Sequence, residues 1–360
     1  MPSSLAPVNP FVALAALAPL VAFGVAAAAV AVLAHPRWGL PILDHPNERS
    51  LHERPTPRTG GIGIVAGLVA GLVAALLAGS LSAASGGPPG GALAAVLLGA
   101  AAVAAVSFAD DLRPLPPAVR LVVHVGAAGG LVAAGLSPPA LELPGAAWAW
   151  PAWLAAGVSV LATVWMTNLY NFMDGMDGFA GGMGVSGFGA LALLGLLGGR
   201  FDYALASAVV AAASAGFLLF NFPPARIFMG DVGSSTLGFL AAGFALWGHR
   251  GGFFPLWVAA LVFSPFVVDA TVTLVRRALA GEKVWHAHRS HYYQRLVRLG
   301  WTHRRTVLAE YSLMLACALS ALLAVAVVPG AQWALIAGWV VVYAVLALSV
   351  PRLERQAGKS

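Results

Sequence analysis

Runs of about twenty residues with almost no charge follow one another along nearly the whole chain, and that is the length a helix needs to cross the apolar core of a bilayer. They lie near 11–34, 61–83, 91–109, 119–137, 152–169, 179–198, 203–220, 234–248, 254–275, 306–328 and 331–350. Inside lipid every backbone N–H and C=O needs an internal partner, which a helix supplies from its own segment. These eleven runs therefore predict an all-α, polytopic integral membrane protein, with 1–360 as one membrane domain. Composition excludes a soluble surface: 9% of the 360 residues are charged, against roughly 25% in soluble domains. A net charge of +6 would direct attention to nucleic acid in a soluble chain; here the basic residues read as topology signals, and no nucleic-acid partner is expected. Cys317 stands alone inside an apolar run, which leaves no disulfide framework and no thiolate metal site. The first basic residue, Arg37, follows the first run, so that run is expected to be a retained anchor rather than a cleaved signal. The 42 glycines suit close helix packing, and their spacing is not taken as a dimer motif.

With eleven spans the connecting segments fall alternately on two sides. Of the 20 Lys and Arg residues, all but Arg200 and Arg250 fall on one side. The positive-inside rule makes that side cytoplasmic, with the N-terminus outside and the C-terminus inside. Trp148, Trp150, Trp153, Trp247 and Trp257 flank the outer segments, where an interfacial aromatic belt is expected. The outer loops are short and chemically bland. The inner loops, 35–60, 110–118, 170–178, 221–233 and 276–305, hold the reactive side chains, and Asp269 reads as the only clearly intramembrane charge.

The first inner loop, LDHPNERSLHERPTPRTGGIGI, carries His52, Arg54 and Arg58 ahead of Gly60 and Gly61. Its cations, with free N–H groups at the start of the next helix, suit a phosphate; a plain positive-inside anchor is the other reading. In SFADDLRPLPPAVRL the consecutive Asp110 and Asp111 lie at an inner helix end, ahead of Arg113 and Arg120. Helix neighbours point about 100° apart, so these two carboxylates are expected to do different jobs. In TNLYNFMDGMDGFAGG, Asn168, Asn171, Asp174 and Asp177 recur every three residues, which would align them along a helix surface. Such oxygen donors suit a hard cation of the Mg²⁺ type. Asp231 lies between Gly230 and Gly233, expected just before the eighth helix, where Ser234 and Ser235 are candidate caps.

The last inner loop, WHAHRSHYYQRLVRLGWTHRRT at its core, belongs to a segment, 276–305, whose only acidic residue is Glu282. A zinc site at His286, His288 and His291 lacks a cysteine or well-spaced carboxylate, so an anion-binding loop, for phosphates or acidic headgroups, is preferred. Carboxylates at 110, 111, 174, 177 and 231 brought to one face would repel one another unless protonated or metal-bound. Mg²⁺ between them and a phosphorylated substrate reconciles the two signs of charge.

In this order and on one side of the membrane, the strings DHPNERSLHERPTPRTGG, the Asp-Asp pair, NFMDGMDG, MGDVGSS and HAHRSHYYQRL resemble the polyprenyl-phosphate N-acetylhexosamine-1-phosphate transferases, glycosyltransferase family 4. The resemblance implies a multi-pass, Mg²⁺-dependent enzyme of the bacterial inner membrane, with Mn²⁺ as the alternative ion and the active site on the cytoplasmic face. Its partners would be a UDP-N-acetylhexosamine, undecaprenyl phosphate and membrane lipid, with a homodimer as a candidate assembly. Sugar-1-phosphate would pass to the lipid and UMP would leave. Carried over by position, the catalytic residues are Asp110, Asp111, Asp174, Asp177 and His291; the metal ligands are Asp231 and Asp111. The substrate contacts are His52, Arg58, Arg120, Asn168, Asn171, His288 and Arg289.

Many members carry His-x-His-His in the last loop, where this chain has His291, Tyr292, Tyr293 and Gln294. That pattern looks like the subgroup initiating O-antigen or other surface polysaccharides, with a neutral UDP-sugar in place of UDP-MurNAc-pentapeptide. Either Asp110 or Asp111 would orient or deprotonate the lipid phosphate, and a covalent aspartyl-phosphate is the minor alternative. The competing readings are the peptidoglycan phospho-MurNAc-pentapeptide translocase and an ion-coupled secondary transporter. The transporter reading expects carboxylates near the midplane, whereas these cluster at one face.

Overall fold

The computed structural model describes residues 17–40, 42–45, 55–79, 89–283 and 288–358. His52, in the first inner loop, and His286, in the last, lie outside the described residues. Thirteen helices are described: α1 (Leu17–Leu33), α2 (Gly60–Leu77), α3 (Pro89–Leu112), α4 (Pro117–Ala133), α5 (Ala152–Met173), α6 (Phe179–Leu197), α7 (Phe201–Asn221), α8 (Gly230–Arg250), α9 (Leu256–Val262), α10 (Ser264–Leu279), α11 (Tyr292–Arg298), α12 (His303–Ala324) and α13 (Pro329–Gln356). Every apolar run expected from the sequence coincides with a helix or a helix pair. Among the described residues, seven helices are long and apolar enough to cross a membrane, or eight with the bent pair α9–α10 taken as one span. That makes the protein polytopic. Helices α1 and α4, 17 residues each, and the more polar α8 fall outside that measure.

The polarity of α8 follows from its position. It is buried on nearly every side: Gly238 lies against the backbone of Met166 and Thr167 in α5, and Gly243 against Val96 of α3. A helix shielded by protein has no lipid-facing surface to keep apolar. The hydropathy run beginning at 234 therefore starts a turn too late, and Asp231 lies inside the first turn rather than ahead of it. Trp247, expected in the interfacial belt, is instead buried against Tyr203 and Phe244, whereas Trp148 and Trp153 are exposed.

Two features go beyond what apolar length predicts. The ninth run is broken rather than straight: α9 and α10 meet at 84°. Pro265, in the first turn of α10, has no N–H to give to the preceding turn, and the Ser264 hydroxyl bonds Leu261 O at 2.7 Å and contacts Tyr343 Oη at 2.6 Å. The bend lets α10 present Asp269 and Thr273 to the last loop. The chain is also not wholly helical. A pair β1 (Leu43–Asp44) and β2 (Thr56–Pro57) and a hairpin β3 (Ala140–Leu143) and β4 (Ala146–Ala149) are both antiparallel. The hairpin tip is pinned by Trp333 Nε1–H on Pro144 O, at 2.9 Å.

The glycine spacing has its use within one chain. Gly63, Gly67 and Gly71 of α2 recur every four residues, and a Cβ on any of them would run into α1 at Val30, Ala26 or Ala22. Small residues on both helices let the backbones approach closely, which drives helix association where hydrophobicity cannot. At the other extreme α13 has almost no fully buried residue, as suits a helix with a face toward lipid.

Candidate active site

The site is assembled where the ends of α2, α3, α5 and α8 meet. The segment after β2 is bonded backbone to backbone onto the entry to α8: Phe228 N–H on Pro57 O at 2.7 Å, Gly60 N–H on Phe228 O at 2.9 Å and Gly61 N–H on Met229 O at 2.7 Å. The approach is so close that a Cβ at Gly61 would collide with the Gly233 backbone, and one at Gly230 with Arg58 O. Gly230 also has φ +71°, open to glycine without strain. The N–H groups of Gly60 and Gly61, expected to be free for a phosphate, are thus engaged in building the site. What this segment delivers is Arg58, whose Nε lies 3.7 Å from Asp111 Oδ1 and whose Nη2 donates to Asp111 O at 3.1 Å.

The two neighbouring carboxylates at the end of α3 have different partners, as their angular separation requires. Asp110 accepts from Leu115 N–H at 2.6 Å and from Arg120 Nη1 at 2.8 Å. Asp111 is buried and accepts from Val232 N–H at 3.3 Å, in the first turn of α8. Arg120 Nη1 also reaches Asp231 Oδ2 at 3.1 Å. One guanidinium nitrogen therefore joins α3 to α8 through α4. Ser234 and Ser235 do not cap α8: the Ser234 hydroxyl donates to Gly230 O at 3.1 Å, and Ser235 Oγ accepts from Asn171 Nδ2 at 3.4 Å.

The Asn/Asp series leaves the helix halfway. α5 ends at Met173, with Asp174 as its C-cap residue. Asn168 donates to Val164 O of its own helix at 2.7 Å. Asp174 turns toward the carboxylates; burial, with Asp231, Asp111, Asp177 and Asp44 around it, pushes its carboxyl well above the ordinary range. Asp177 points the other way, accepting from Ala225 N–H at 3.0 Å and pairing with His303 Nδ1 at 3.3 Å. Of the five carboxylates read as a group, Asp231 meets Asp110, Asp111 and Asp174 electrostatically, while Asp177, also felt by Asp174, has its own partners and locks the loop behind them. Asn221 completes that lock, accepting from Gly178 N–H at 2.9 Å and donating to Ile227 O at 2.8 Å. Neither Asp44 nor Asn221 stood out in the sequence; the signal for Asn221 was a lone amide ahead of two prolines.

The last loop enters through α11. Tyr293 is fully buried against Phe179, and its hydroxyl donates to Phe172 O at 3.4 Å, beside Gly175. It thus buttresses the loop that carries Asp174, so the tyrosine that replaces a histidine of the family pattern acts in packing as well as charge. His291 is buried and bonded to Asp269. Arg289 is half-buried on the same loop. His288 contacts Ser290 Oγ at 2.8 Å, and burial, followed by the nearby His291 and Arg277, lowers its pKa to about 4. It is therefore neutral at pH 7 and offers a phosphate hydrogen bonding rather than charge. A histidine whose folded pKa lies below its unfolded value binds fewer protons when folded, so stability is lost as pH falls from about 6.5 toward 4. Thermal unfolding over that range should fall less steeply in His288→Gln than in the wild type, and equal slopes would refute the assignment.

Asp269 is not the only carboxyl within the helices. Glu310 of α12 lines, together with Asp269, a largely apolar cavity of about 580 Å³ between α10, α11, α12 and α13.

The chain's residues 93–249 match the model of glycosyl transferase family 4, a stretch holding Asp110, Asp111, Arg120, Asp174, Asp177 and Asp231. It is 31% identical over 276 residues to a probable undecaprenyl-phosphate N-acetylglucosaminyl 1-phosphate transferase of Bacillus subtilis, covering 75% of this chain and 73% of that protein. It is 32% identical over 345 residues to a decaprenyl-phosphate N-acetylglucosaminephosphotransferase of Mycolicibacterium smegmatis, covering 86% and 82%. A phospho-N-acetylmuramoyl-pentapeptide-transferase of Shouchella clausii matches at 29% over 182 residues, 49% of this chain and 54% of that one. With the acidic cluster, its arginine bridge and relatives spanning most of its length, the chain belongs to the polyprenyl-phosphate N-acetylhexosamine-1-phosphate transferases of glycosyl transferase family 4.

Proposed function

We propose that the protein transfers a sugar-1-phosphate from a UDP-N-acetylhexosamine to undecaprenyl phosphate, initiating a surface polysaccharide. The observation that carries this reading is Arg120 bridging Asp110 and Asp231 beside Asp111 and Asp174. This is an acidic centre, met by Arg58 and Arg120, at one end of the helices. An oxygen of the lipid phosphate attacks the sugar-linked phosphorus, the bond from that phosphorus to the UMP oxygen breaks, and UMP departs. A phosphate monoester is largely ionised near pH 7, so the residues have more positioning and charge stabilisation to do than proton removal. Arg58 and Arg120 hold the carboxylates in register. Asp110 or Asp111 orients the attacking phosphate, and His288, Arg289 and His291 approach the nucleotide-sugar phosphates from the last loop.

The donor set fits Mg²⁺ of the kind that keeps its waters. Among the described residues no three His, Cys, Asp or Glu side chains close into a cage, whereas Mg²⁺ commonly takes one or two carboxylates and fills its shell with water and substrate phosphate. Asp111 and Asp231 would hold it, with Asp174 nearby. When bound, the ion neutralises charge on the pyrophosphate.

Eleven crossings with the C-terminus inside would set this centre in the cytoplasm, where UDP-sugars are; a reporter fused after Ser360 should be active there. A secondary transporter is disfavoured because the four carboxylates sit at helix ends. The deciding experiment presents UDP-GlcNAc, UDP-GalNAc and UDP-MurNAc-pentapeptide to the purified protein with undecaprenyl phosphate and measures UMP. Release with a neutral sugar is expected. Preference for the pentapeptide would assign the protein to peptidoglycan synthesis, and no release with any donor would remove the enzymatic reading.

A further inference from the structure

Asp269 has no part in the chemistry above, yet it is the most heavily hydrogen-bonded carboxylate near the site. Its Oδ1 accepts from Tyr292 N–H at 3.0 Å and from the Thr273 hydroxyl at 3.1 Å, and lies 3.2 Å from His291 Nδ1. Its Oδ2 accepts from Tyr293 N–H at 3.2 Å. Two of these donors are backbone N–H groups, one on each oxygen, so both oxygens serve as acceptors. An ionised carboxylate can only accept, so the imidazole contact places the hydrogen on Nδ1. The His291 ring is held from other sides as well: the Tyr293 ring lies nearly parallel at 5.9 Å, and the His288 ring is 4.8 Å away.

We infer that Asp269 is a positioning residue for the phosphoryl-transfer centre. It fixes His291 with the proton on Nδ1 and Nε2 left to face substrate. The same two oxygens fix the start of α11, and so the reach of Tyr293 to the loop carrying Asp174. The inference rests on the reading of the site given under Proposed function. A carboxylate that only anchored α11 would need the N–H groups of Tyr292 and Tyr293 and nothing more. The imidazole is the additional partner, and it is one of the residues meant to meet the substrate. The setting explains why the carboxylate must be so fully bonded. Beyond it lies the cavity lined by Val268, Val272, Leu313 and Leu346, and an unpaired charge facing that space would be strongly disfavoured. Hydrogen-bonding partners behind a working histidine set its tautomer and orientation, and in metal sites their loss commonly lowers activity 10–100-fold.

The test is a mutant cycle, because a residue that acts through His291 loses its effect once His291 is gone. Asp269→Asn, His291→Ala and the double variant are purified in detergent, checked for equal thermal stability and assayed for UMP release. Asp269→Asn should lower kcat about 30-fold in the wild-type background and less than about threefold in the His291→Ala background. Equal losses in the two backgrounds, or a wild-type kcat for Asp269→Asn, would overturn the inference. If Asp269→Asn does not fold, Asp269→Glu in the same two backgrounds gives the same comparison. If the wild type releases no UMP from any donor, the reaction reading fails instead. The inference is then decided by ¹⁵N-histidine NMR, with the His291 signals identified by their loss in His291→Ala. A shift of the proton between Nδ1 and Nε2 on Asp269 substitution supports it, and an unchanged ring overturns it.

Discussion

Asp231→Asn is expected to lower UMP release about a thousandfold while leaving the fold intact. The substitution nearly preserves volume. The backbone of the α8 entry is held by Phe228, Met229 and Gly230, not by the Asp231 side chain. What it removes is one of the two carboxylates proposed to hold Mg²⁺ and one of the two that Arg120 bridges. Charge placement in phosphoryl transfer carries most of the rate, so both losses fall on kcat. The check is turnover at saturating UDP-sugar, together with the melting temperature with and without Mg²⁺. The wild type should be stabilised by the ion and the variant much less. Full turnover of Asp231→Asn, or undiminished wild-type activity in chelated buffer, would end the metal assignment.

Replacing Arg120 by Ala should have the second-largest effect, about a hundredfold loss of kcat, through the opposite change in charge. A single nitrogen of Arg120 serves both Asp110 and Asp231, so its removal leaves two carboxylates facing each other without a shared cation. Repulsion then favours any divalent ion. The variant should therefore reach half-maximal activity at a lower Mg²⁺ concentration than the wild type even as its maximal rate falls. Arg120→Lys, which keeps one charged nitrogen able to meet both oxygens, should recover most of the rate. A variant that lost rate and also needed more Mg²⁺ would mean that Arg120 binds substrate rather than organising the carboxylates. Its melting temperature should fall as well, since the three side chains are only 14–33% exposed and the ion pairs weakly screened, so the rates are compared on protein shown to be folded.

The sequence was most legible where a physical rule acts on many residues at once. Apolar length located every helix but the short α11 of the last loop, and the order of the motifs pointed to Asp110, Asp111, Asp174 and Asp231 at one face. It was least legible where one contact overrides a pattern. The three-residue repeat of Asn168, Asn171, Asp174 and Asp177 looked helical because periodicity carries no information about where a chain stops; the helix ends at Met173, with Asp174 as its C-cap, and Gly178, at φ +75° and held by Asn221, opens the next one. The polar first turn of α8 was invisible to hydropathy because burial by neighbouring helices, not lipid, surrounds it. Asp269 looked like a solitary charge in a span, and Glu310 was overlooked beside it, because the bend that turns α10 toward the last loop arises from Pro265 and Ser264 rather than from any charge pattern.

The arginine bridge also bears on how the protein is made. Arg120 and Asp231 are separated by 111 positions, and the backbone bonds that seat Arg58 run from Pro57 to Phe228. During synthesis the chain delivers α1 to α7 before either long-range partner exists. Until α8 enters, Arg58 and Arg120 lack the scaffold that aligns them, and Asp174 has not met Asp231. A nascent chain halted before Gly230 consequently lacks Asp231, the carboxylate that Arg120 shares with Asp110, however well its first helices have inserted. The acidic centre comes together with the docking of α8, an approach that Gly61 of α2, Gly99 of α3 and Gly233, Gly238 and Gly243 of α8 make sterically feasible.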